Sequence, residues 1–188
     1  YWQAYKALGA VKIKWDAGAN ASLDNDAIRA RLRKAATRNG RSVRNDGNAA
    51  AALKGAAKVV RATYELPMLA HATLEPQCCT ADVRADSADV YAPTQTQTIA
   101  QATAAAVAGL KPEQVKIHTT LLGGGFGRRL EVDFIGAAMV ASKAVGKPVK
   151  VIWSREQDMT HDTYRPPAFD TVAGGLDASG KLVAWKLD

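Results

Sequence analysis

The sequence predicts an α+β fold, with mixed sheets and flanking helices. Three observations favour this class. The 188 residues are 47% hydrophobic and 23% charged, which is typical of a globular domain. Segments in which apolar residues alternate, as in strands, are interspersed with segments of helical periodicity. The two kinds of segment follow one another without a strict strand–helix–strand repeat, which would instead indicate an α/β fold.

The N-terminal part of the sequence is predicted to hold three helices and two strands. The helices are expected over residues 2–9, 25–36 and 49–57, and the strands over residues 11–15 and 58–66. Asp24 or Ser22 can cap the second helix, and residues 38–48 are rich in turn formers. We place the junction between a small N-terminal unit and the rest of the chain after residue 57.

The remainder of the sequence is predicted to be mostly extended, with two longer helices. Strands or extended segments are expected over residues 70–75, 78–84, 87–92, 115–121, 149–153, 168–174 and 181–187. The helices are expected over residues 97–108 and 131–145, ended by Gly109 and Gly146 respectively. The turn 177–180 joins the last two strands as a hairpin.

Positive charge is concentrated in the N-terminal third. Lys and Arg outnumber Asp and Glu by 13 to 4 in residues 1–63, within a formal net charge of +7. A nucleic-acid-binding or anionic-membrane patch is one interpretation. No aromatic residues interleave the cluster, so a solvated helix face followed by a polar loop is favoured. The cluster comprises Arg29, Arg31, Arg33, Lys34, Arg38, Arg41 and Arg44.

A glycine-rich loop is the most distinctive motif. Residues 121–129 read Leu-Leu-Gly-Gly-Gly-Phe-Gly-Arg-Arg, between a predicted strand and a predicted helix. Arg128 stands where a dinucleotide fingerprint needs glycine, and no Gly-Lys-Ser/Thr follows as in a phosphate loop. Successive backbone N–H groups could still converge on an anionic ligand, with Phe126 as an apolar wall and Arg128 or Arg129 pairing with phosphate. A tight strand-to-helix turn without a ligand remains the alternative, and a nucleotide-phosphate site is a further one.

A second polar segment also lies between a predicted strand and a predicted helix. In Pro93-Thr94-Gln95-Thr96-Gln97, the carboxamide of Gln95 could donate a hydrogen bond to an oxo group. Helix capping by Thr94 or Thr96 is the simpler interpretation of the segment.

His71, Glu75 and the two cysteines have predominantly structural interpretations. The spacing of His71 and Glu75 could hold a metal, but a supporting role is favoured because Pro67 and Pro76 flank an extended segment. Cys78 and Cys79 are adjacent, which disfavours a disulfide and does not fit a zinc site. We expect two small buried thiols.

Six motifs in a fixed order carry a family resemblance. They are Tyr64-Glu65-Leu66-Pro67, His71-Ala72-Thr73-Leu74-Glu75-Pro76, Pro93-Thr94-Gln95, Gly123-Gly124-Gly125-Phe126-Gly127, Lys147-Pro148-Val149-Lys150 and Ser154-Arg155-Glu156-Gln157-Asp158. This succession resembles the molybdopterin-binding subunit of the xanthine oxidase and aldehyde oxidase family over about residues 58–188. Residues 1–57 are similar to the tail of the hammerhead-type domain that precedes it. The Gly-Arg-Arg ending of the loop is most similar to the isoquinoline 1-oxidoreductase beta-subunit branch.

The resemblance implies a cofactor site. Gln95 would match the glutamine that hydrogen-bonds the apical ligand of molybdenum. The residues that would match the loop beside the metal and the dithiolene are Gly124, Gly125, Phe126 and Gly127, and Arg128 would contact phosphate or close part of the pocket. The implied cofactor is molybdopterin, in bacteria usually as the cytosine dinucleotide. The implied reactions hydroxylate an N-heteroaromatic carbon or oxidise an aldehyde with oxygen from water, and the electrons leave through [2Fe–2S] clusters of an iron–sulfur partner subunit.

The sequence also departs from the family pattern. Arg128 stands where the family often has glycine, and Leu130 stands where purine-oxidising members carry glutamate, so a purine substrate is not expected. The family's catalytic glutamate lies far toward the C-terminus of the subunit, beyond these residues. We therefore expect no catalytic residue in this chain, and we expect the chain to be a piece of a longer protein that is inactive alone. Such a piece would expose apolar surface and tend toward non-native association.

Overall fold

The computed structural model describes all 188 residues and divides the chain into two compact units. Residues Tyr1–Pro67 and Pro167–Asp188 form the first, called here the terminal unit, and Met68–Pro166 form the second, called the central unit. The predicted α+β class is confirmed. None of the helices has both the length and the apolar character needed to cross a membrane.

The terminal unit contains three helices and a three-stranded antiparallel sheet. The helices are α1 (Trp2–Ala10), α2 (Asn25–Ala35) and α3 (Ala49–Gly55), and the first strand is β1 (Lys58–Leu66). The sheet is completed by β6 (Ala168–Leu176) and β7 (Leu182–Leu187), in the order β1-β6-β7. The predicted C-terminal hairpin is therefore present, and β1 pairs with β6 along its whole length.

A small core holds α3 against this sheet. Leu53 of α3 is buried with Ala173 and Ala184. A Cβ at Gly175 would lie 3.0 Å from the Cβ of Ala56 and 3.3 Å from a methyl group of Leu53, so glycine lets the helix come close to β6. Such a small apolar core can contribute only modestly to stability.

The basic cluster is partly used to attach α2 to β1. Asp24 caps α2 by accepting a hydrogen bond from the N–H of Ala27. Further along the helix, Arg29 Nε lies 2.6 Å and Arg33 Nη2 lies 2.8 Å from the carboxylate oxygens of Glu65. These two arginines lower the pKa of Glu65, with the hydrogen bond from Arg33 as the largest cause. Two members of the cluster thus form ion pairs within the chain, which the sequence had not indicated.

The central unit contains a four-stranded mixed sheet covered by two long helices. Its elements in chain order are β2 (Cys78–Val83), β3 (Ala88–Ala92), α4 (Gln97–Ala108), β4 (Val115–Thr119), α5 (Asp133–Val145), β5 (Val149–Ile152) and α6 (Arg155–Thr160). The strand order is β4-β3-β2-β5. Only β3 and β4 are parallel, joined by α4, and the other neighbours are antiparallel.

The core of the central unit lies between this sheet and helices α4 and α5. Alternate residues of the strands point into it, so Cys79 and Ala81 of β2 meet Val90 of β3 on one face. Alanines line the buried side of α4, and Phe134, Ile135, Ala138 and Met139 do so on α5. Small side chains on α4 let the helices pack closely, and the larger ones on α5 fill the remaining space.

Two predicted strands are absent from the structure, and one helix in it was not predicted. Residues 11–15 form no strand, and the side chains of Val11, Ile13 and Trp15 are exposed. Residues 70–75 form no strand either, because Ala72 has a left-handed φ of 48°. In contrast, α6 was not predicted, although Ser154 and Gln157 form a capping box at its start. Alternation of apolar residues indicates a strand, but a strand also needs a neighbouring strand to accept and donate its backbone hydrogen bonds. The alternating pattern does not show whether such a neighbour exists.

Candidate cofactor site

The two polar segments singled out in the sequence meet at one edge of the central sheet. The segment around Gln95 follows β3, and the glycine loop follows β4. Since β3 and β4 are neighbours and parallel, their carboxyl ends lie side by side. This is the edge at which open sheets of this kind place ligands. A backbone hydrogen bond of 3.0 Å from the N–H of Gln95 to the carbonyl of Arg129 joins the two segments directly.

The side chain of Gln95 is held by the glycine loop. Its Oε1 accepts hydrogen bonds from the N–H groups of Gly127, at 3.2 Å, and Arg129, at 3.3 Å. Since both partners are donors, the oxygen faces the loop, and the Nε2 amide group has no acceptor within the chain. The carboxamide is therefore oriented with its donor side available to a ligand.

The loop itself has an unusual backbone. Gly124 and Gly127 both have φ of 101°, and Phe126 has φ of 55°, which is uncommon for a residue other than glycine. The N–H groups of Gly124, Gly125 and Phe126 find no acceptor within the chain. Three successive unpaired N–H donors beside the unpaired Nε2 group of Gln95 are suited to oxygen atoms of an anionic group. The ring of Phe126 is 65% exposed and adds an apolar surface.

Glu75 fixes the start of the loop. Its Oε2 accepts from the N–H of Gly123 at 3.0 Å, while its own N–H donates to the carbonyl of Gly123 at the same distance. A Cβ at Gly123 would lie 2.3 Å from the Cβ of Glu75, so only glycine fits. Glu75 therefore has the supporting role that the sequence favoured over metal binding. No group of three His, Cys, Asp or Glu side chains is arranged to hold a metal ion directly.

Arg129 connects the glycine loop to Glu75 and Pro93. The side chain is fully buried, and its Nη2 lies 2.8 Å from both the carboxylate and the carbonyl oxygen of Glu75. Its Nε donates to the carbonyl of Gly124 at 2.8 Å, and its Nη1 to that of Pro93 at 3.3 Å. All of its charge-assisted bonds go to the protein, so this arginine is not available to pair with phosphate.

Arg128 is also buried, on the other side of the loop. Its guanidinium forms two hydrogen bonds to Asp133, at 2.9 and 2.8 Å, and its Nε lies 2.9 Å from Oδ1 of Asp162. Burial alone would lower the pKa of Arg128, but these carboxylates raise it above its ordinary value. In this structure two carboxylates compensate the charge of Arg128, and these contacts hold the end of the loop in place. That Arg128 contacts phosphate or closes part of the pocket stays a prediction.

Asp162 is a part of this site that sequence reasoning missed. Its buried carboxylate accepts from the backbone N–H of His71 at 2.5 Å, and both of its oxygens lie 3.1 Å from Nδ1 of the same residue. It also neighbours Arg128, so it ties the segment before β2 to the end of the loop. No local pattern marks Asp162, and its partner His71 is 91 positions away in the sequence.

Comparison with known proteins identifies the family. The model of the molybdopterin cofactor-binding domain matches residues 32–188, and the chain belongs to this family. A membrane-bound aldehyde dehydrogenase (pyrroloquinoline-quinone) of Gluconacetobacter polyoxogenes is 33% identical over 98% of the chain and 24% of its own length. The isoquinoline 1-oxidoreductase subunit beta of Brevundimonas diminuta is 42% identical over 54% of the chain and 12% of its own length.

Solved structures show the same fold. The aldehyde oxidoreductase of Desulfovibrio gigas matches 76% of the chain and 16% of its own chain, with a TM-score of 0.67 and 21% identity. Quinoline 2-oxidoreductase of Pseudomonas putida 86 matches 74% of the chain and 18% of its own, with a TM-score of 0.66 and 19% identity. The chain thus spans a quarter or less of the length of these relatives.

Proposed function

We propose that this chain forms part of the cofactor-binding subunit of a molybdenum oxidoreductase that hydroxylates N-heteroaromatic compounds or oxidises aldehydes. The observation that carries the proposal is the meeting of Gln95 with the glycine loop, which leaves unpaired donors at one edge of the sheet. Membership of the molybdopterin cofactor-binding domain family supports the same assignment.

The donors present fit a molybdopterin cofactor. The oxygen atoms of such a cofactor need hydrogen-bond donors, and the side-chain Nε2 of Gln95 and the N–H groups of Gly124, Gly125 and Phe126 would provide them. The protein offers no metal-ligand cluster of its own, so the metal would have to arrive on the organic cofactor. Arg128 is proposed to contribute by holding Gly127 and the loop end, rather than by contacting the cofactor.

The chemistry would come mainly from the cofactor. When bound, it supplies a metal centre that exchanges electron pairs and activates water-derived oxygen. The overall reaction converts a substrate C–H and water into C–OH, with release of two electrons and two protons. The residues of this chain would fix the position of the cofactor, and their donors would stabilise negative charge on its oxygens without reorganising.

Finer features of the assembly belong to the same proposal. We infer a cytosine dinucleotide form of the cofactor and transfer of electrons to [2Fe–2S] clusters in an iron–sulfur partner subunit. Purines are not proposed as substrates, because Leu130 replaces the glutamate of purine-oxidising relatives. Residues 1–57 are proposed to be the tail of a preceding hammerhead-like α/β unit and 58–188 the start of the cofactor-binding domain. The catalytic base is proposed to lie outside these residues, so the 188-residue chain alone should be inactive.

The test is analysis of the complete subunit purified with its iron–sulfur partner. We expect about one molybdenum per subunit by mass spectrometry, a pterin that becomes fluorescent on oxidation, and a cytosine nucleotide released by acid hydrolysis. Aldehydes and N-heteroaromatic compounds should reduce an added dye, and purines should not. Absence of molybdenum, or a bound quinone in its place as in the name of the Gluconacetobacter relative, would contradict the proposal.

A further inference from the structure

The imidazole of His71 is held in a defined orientation beside the glycine loop. The backbone N–H and Nδ1 both face the carboxylate of Asp162, whose side chain is 1% exposed. Because that carboxylate accepts hydrogen bonds, Nδ1 is the ring nitrogen that carries a proton. The Nε2 atom is therefore the atom left to interact with something else.

Nε2 faces the loop and has no partner within the chain. It lies 3.6 Å from the position that a Cβ of Gly127 would occupy. The side chain of His71 is 11% exposed, so the ring is largely withdrawn from water. The imidazole as a whole is largely buried and is held at Nδ1 by a carboxylate, while its unpaired Nε2 is directed at the glycine loop. This arrangement points to a ligand contact at Nε2.

We propose that His71 is a further cofactor-contacting residue, whose Nε2 hydrogen-bonds an anionic oxygen of the cofactor that the glycine loop holds. This inference rests on the proposed function. Asp162 orients the ring through Nδ1. With Nδ1 donating to Asp162, Nε2 can donate to an anionic oxygen only when the ring carries both protons, and the carboxylate of Asp162 then compensates the positive charge of that imidazolium. The same Asp162 neighbours Arg128, so the ring and the end of the loop are positioned by one carboxylate.

Two substitutions separate contact with the cofactor from a structural role. In His71→Asn, the side-chain amide can still donate to Asp162 in place of Nδ1, but nothing replaces Nε2. In His71→Gln, an amide can reach the position of Nε2, but the bond to Asp162 is lost. The matched control is His118→Asn, because His118 lies on β4, bonds Asp89 and stacks on the ring of Tyr91.

The experiment uses the complete subunit with its iron–sulfur partner. Molybdenum content, the Mo(V) electron paramagnetic resonance spectrum and the melting temperature are measured for each variant. We expect His71→Asn to keep a melting temperature near that of the wild type, but to lose at least about threefold in molybdenum content or to change the Mo(V) spectrum. His71→Gln should recover part of that loss, and His118→Asn should match the wild type.

Two negative results have different meanings. If the wild type carries molybdenum and His71→Asn matches it in both content and spectrum, the histidine is only structural and this inference is overturned. If the wild type itself carries no molybdenum, the proposed function fails first.

Two other results support the inference. A change of the Mo(V) spectrum at full molybdenum content would indicate contact near the metal. Loss of molybdenum with an unchanged spectrum would indicate contact with the phosphate.

Discussion

A Cβ atom at Gly125 would lie 2.6 Å from the side-chain oxygen of Gln95, so the side chain of Gln95 leaves room only for glycine at this position. The contact has a direct consequence for binding. Gln95 can keep its hydrogen bonds to Gly127 and Arg129 only while position 125 lacks a side chain. The packing of the loop and the orientation of the amide donor are thus one feature of the structure.

Replacement of Gly125 by alanine should therefore displace Gln95 and impair the site. Losing the two hydrogen bonds should cost about 1–3 kcal/mol in the free energy of unfolding. Molybdenum content of the complete subunit should fall with it. The control is Gly136→Ala in α5, where a Cβ would meet nothing within 4 Å. If both variants retain the same molybdenum content, the close contact between Gly125 and Gln95 is not needed for cofactor binding.

Gln95→Glu should separate the two roles of the carboxamide. A carboxylate can still accept from the N–H groups of Gly127 and Arg129, so the loop should remain folded and the melting temperature should change little. It cannot donate as Nε2 does, and it places negative charge beside the cofactor. We expect turnover of the complete enzyme to fall on the order of 10²-fold. Steady-state kinetics and thermal melting check this prediction. If Gln95→Glu turns over as fast as the wild type, the Nε2 donor is dispensable.

Arg129→Met should destabilise the central unit markedly. The substitution removes a fully buried cation that bonds Glu75, Gly124 and Pro93, and leaves their carbonyl and carboxylate oxygens short of donors. We expect the free energy of unfolding to fall by about 3 kcal/mol. This is the low end for a broken buried ion pair, because the side chain of Glu75 is partly exposed. Denaturant titration measures it. Arg84→Met, which removes ion pairs at the surface, should have a much smaller effect.

Cys79 should make stability fall at alkaline pH. Burial raises the pKa of its thiol to about 12, from 9.0 for an unperturbed group. Above pH 9 the unfolded chain loses this proton while the folded chain keeps it, so the free energy of unfolding decreases as pH rises from about 9 toward 12. The slope should approach about 1.4 kcal/mol per pH unit. Cys79→Ala should remove that contribution in denaturant titrations at pH 8 and pH 10, and an unchanged slope would contradict it.

The sequence predicts those features that local patterns or order along the chain encode. Asp24 marks the start of α2, and Gly109 and Gly146 end α4 and α5 in the left-handed conformation expected of glycine. That Gln95 and the glycine loop share a site was implied by the family resemblance alone, since two segments that follow predicted strands are neighbours only if those strands pair.

Contacts between distant segments were not predictable in the same way. The alternating residues 11–15 lack a neighbouring strand, and nothing in the sequence shows this. Arg128 was expected to contact phosphate or close part of the pocket, and the sequence did not indicate that Asp133 and Asp162 would be its partners. Asp162 has no local signature, and only the fold brings it to His71. The long-range pairing of charged side chains at this site is therefore visible only in the structure.

The pairing of β1 with β6 has a consequence for biosynthesis. Leu66 and Ala168 are paired at one end of the ladder, yet the whole of Met68–Pro166 is translated between them. The sheet of the terminal unit cannot close until that intervening stretch has left the ribosome. Bringing β1 and β6 together costs more entropy when the segment between them is disordered than when it is folded. Folding of the central unit before the sheet of the terminal unit closes would therefore lower the entropic cost of closing that sheet.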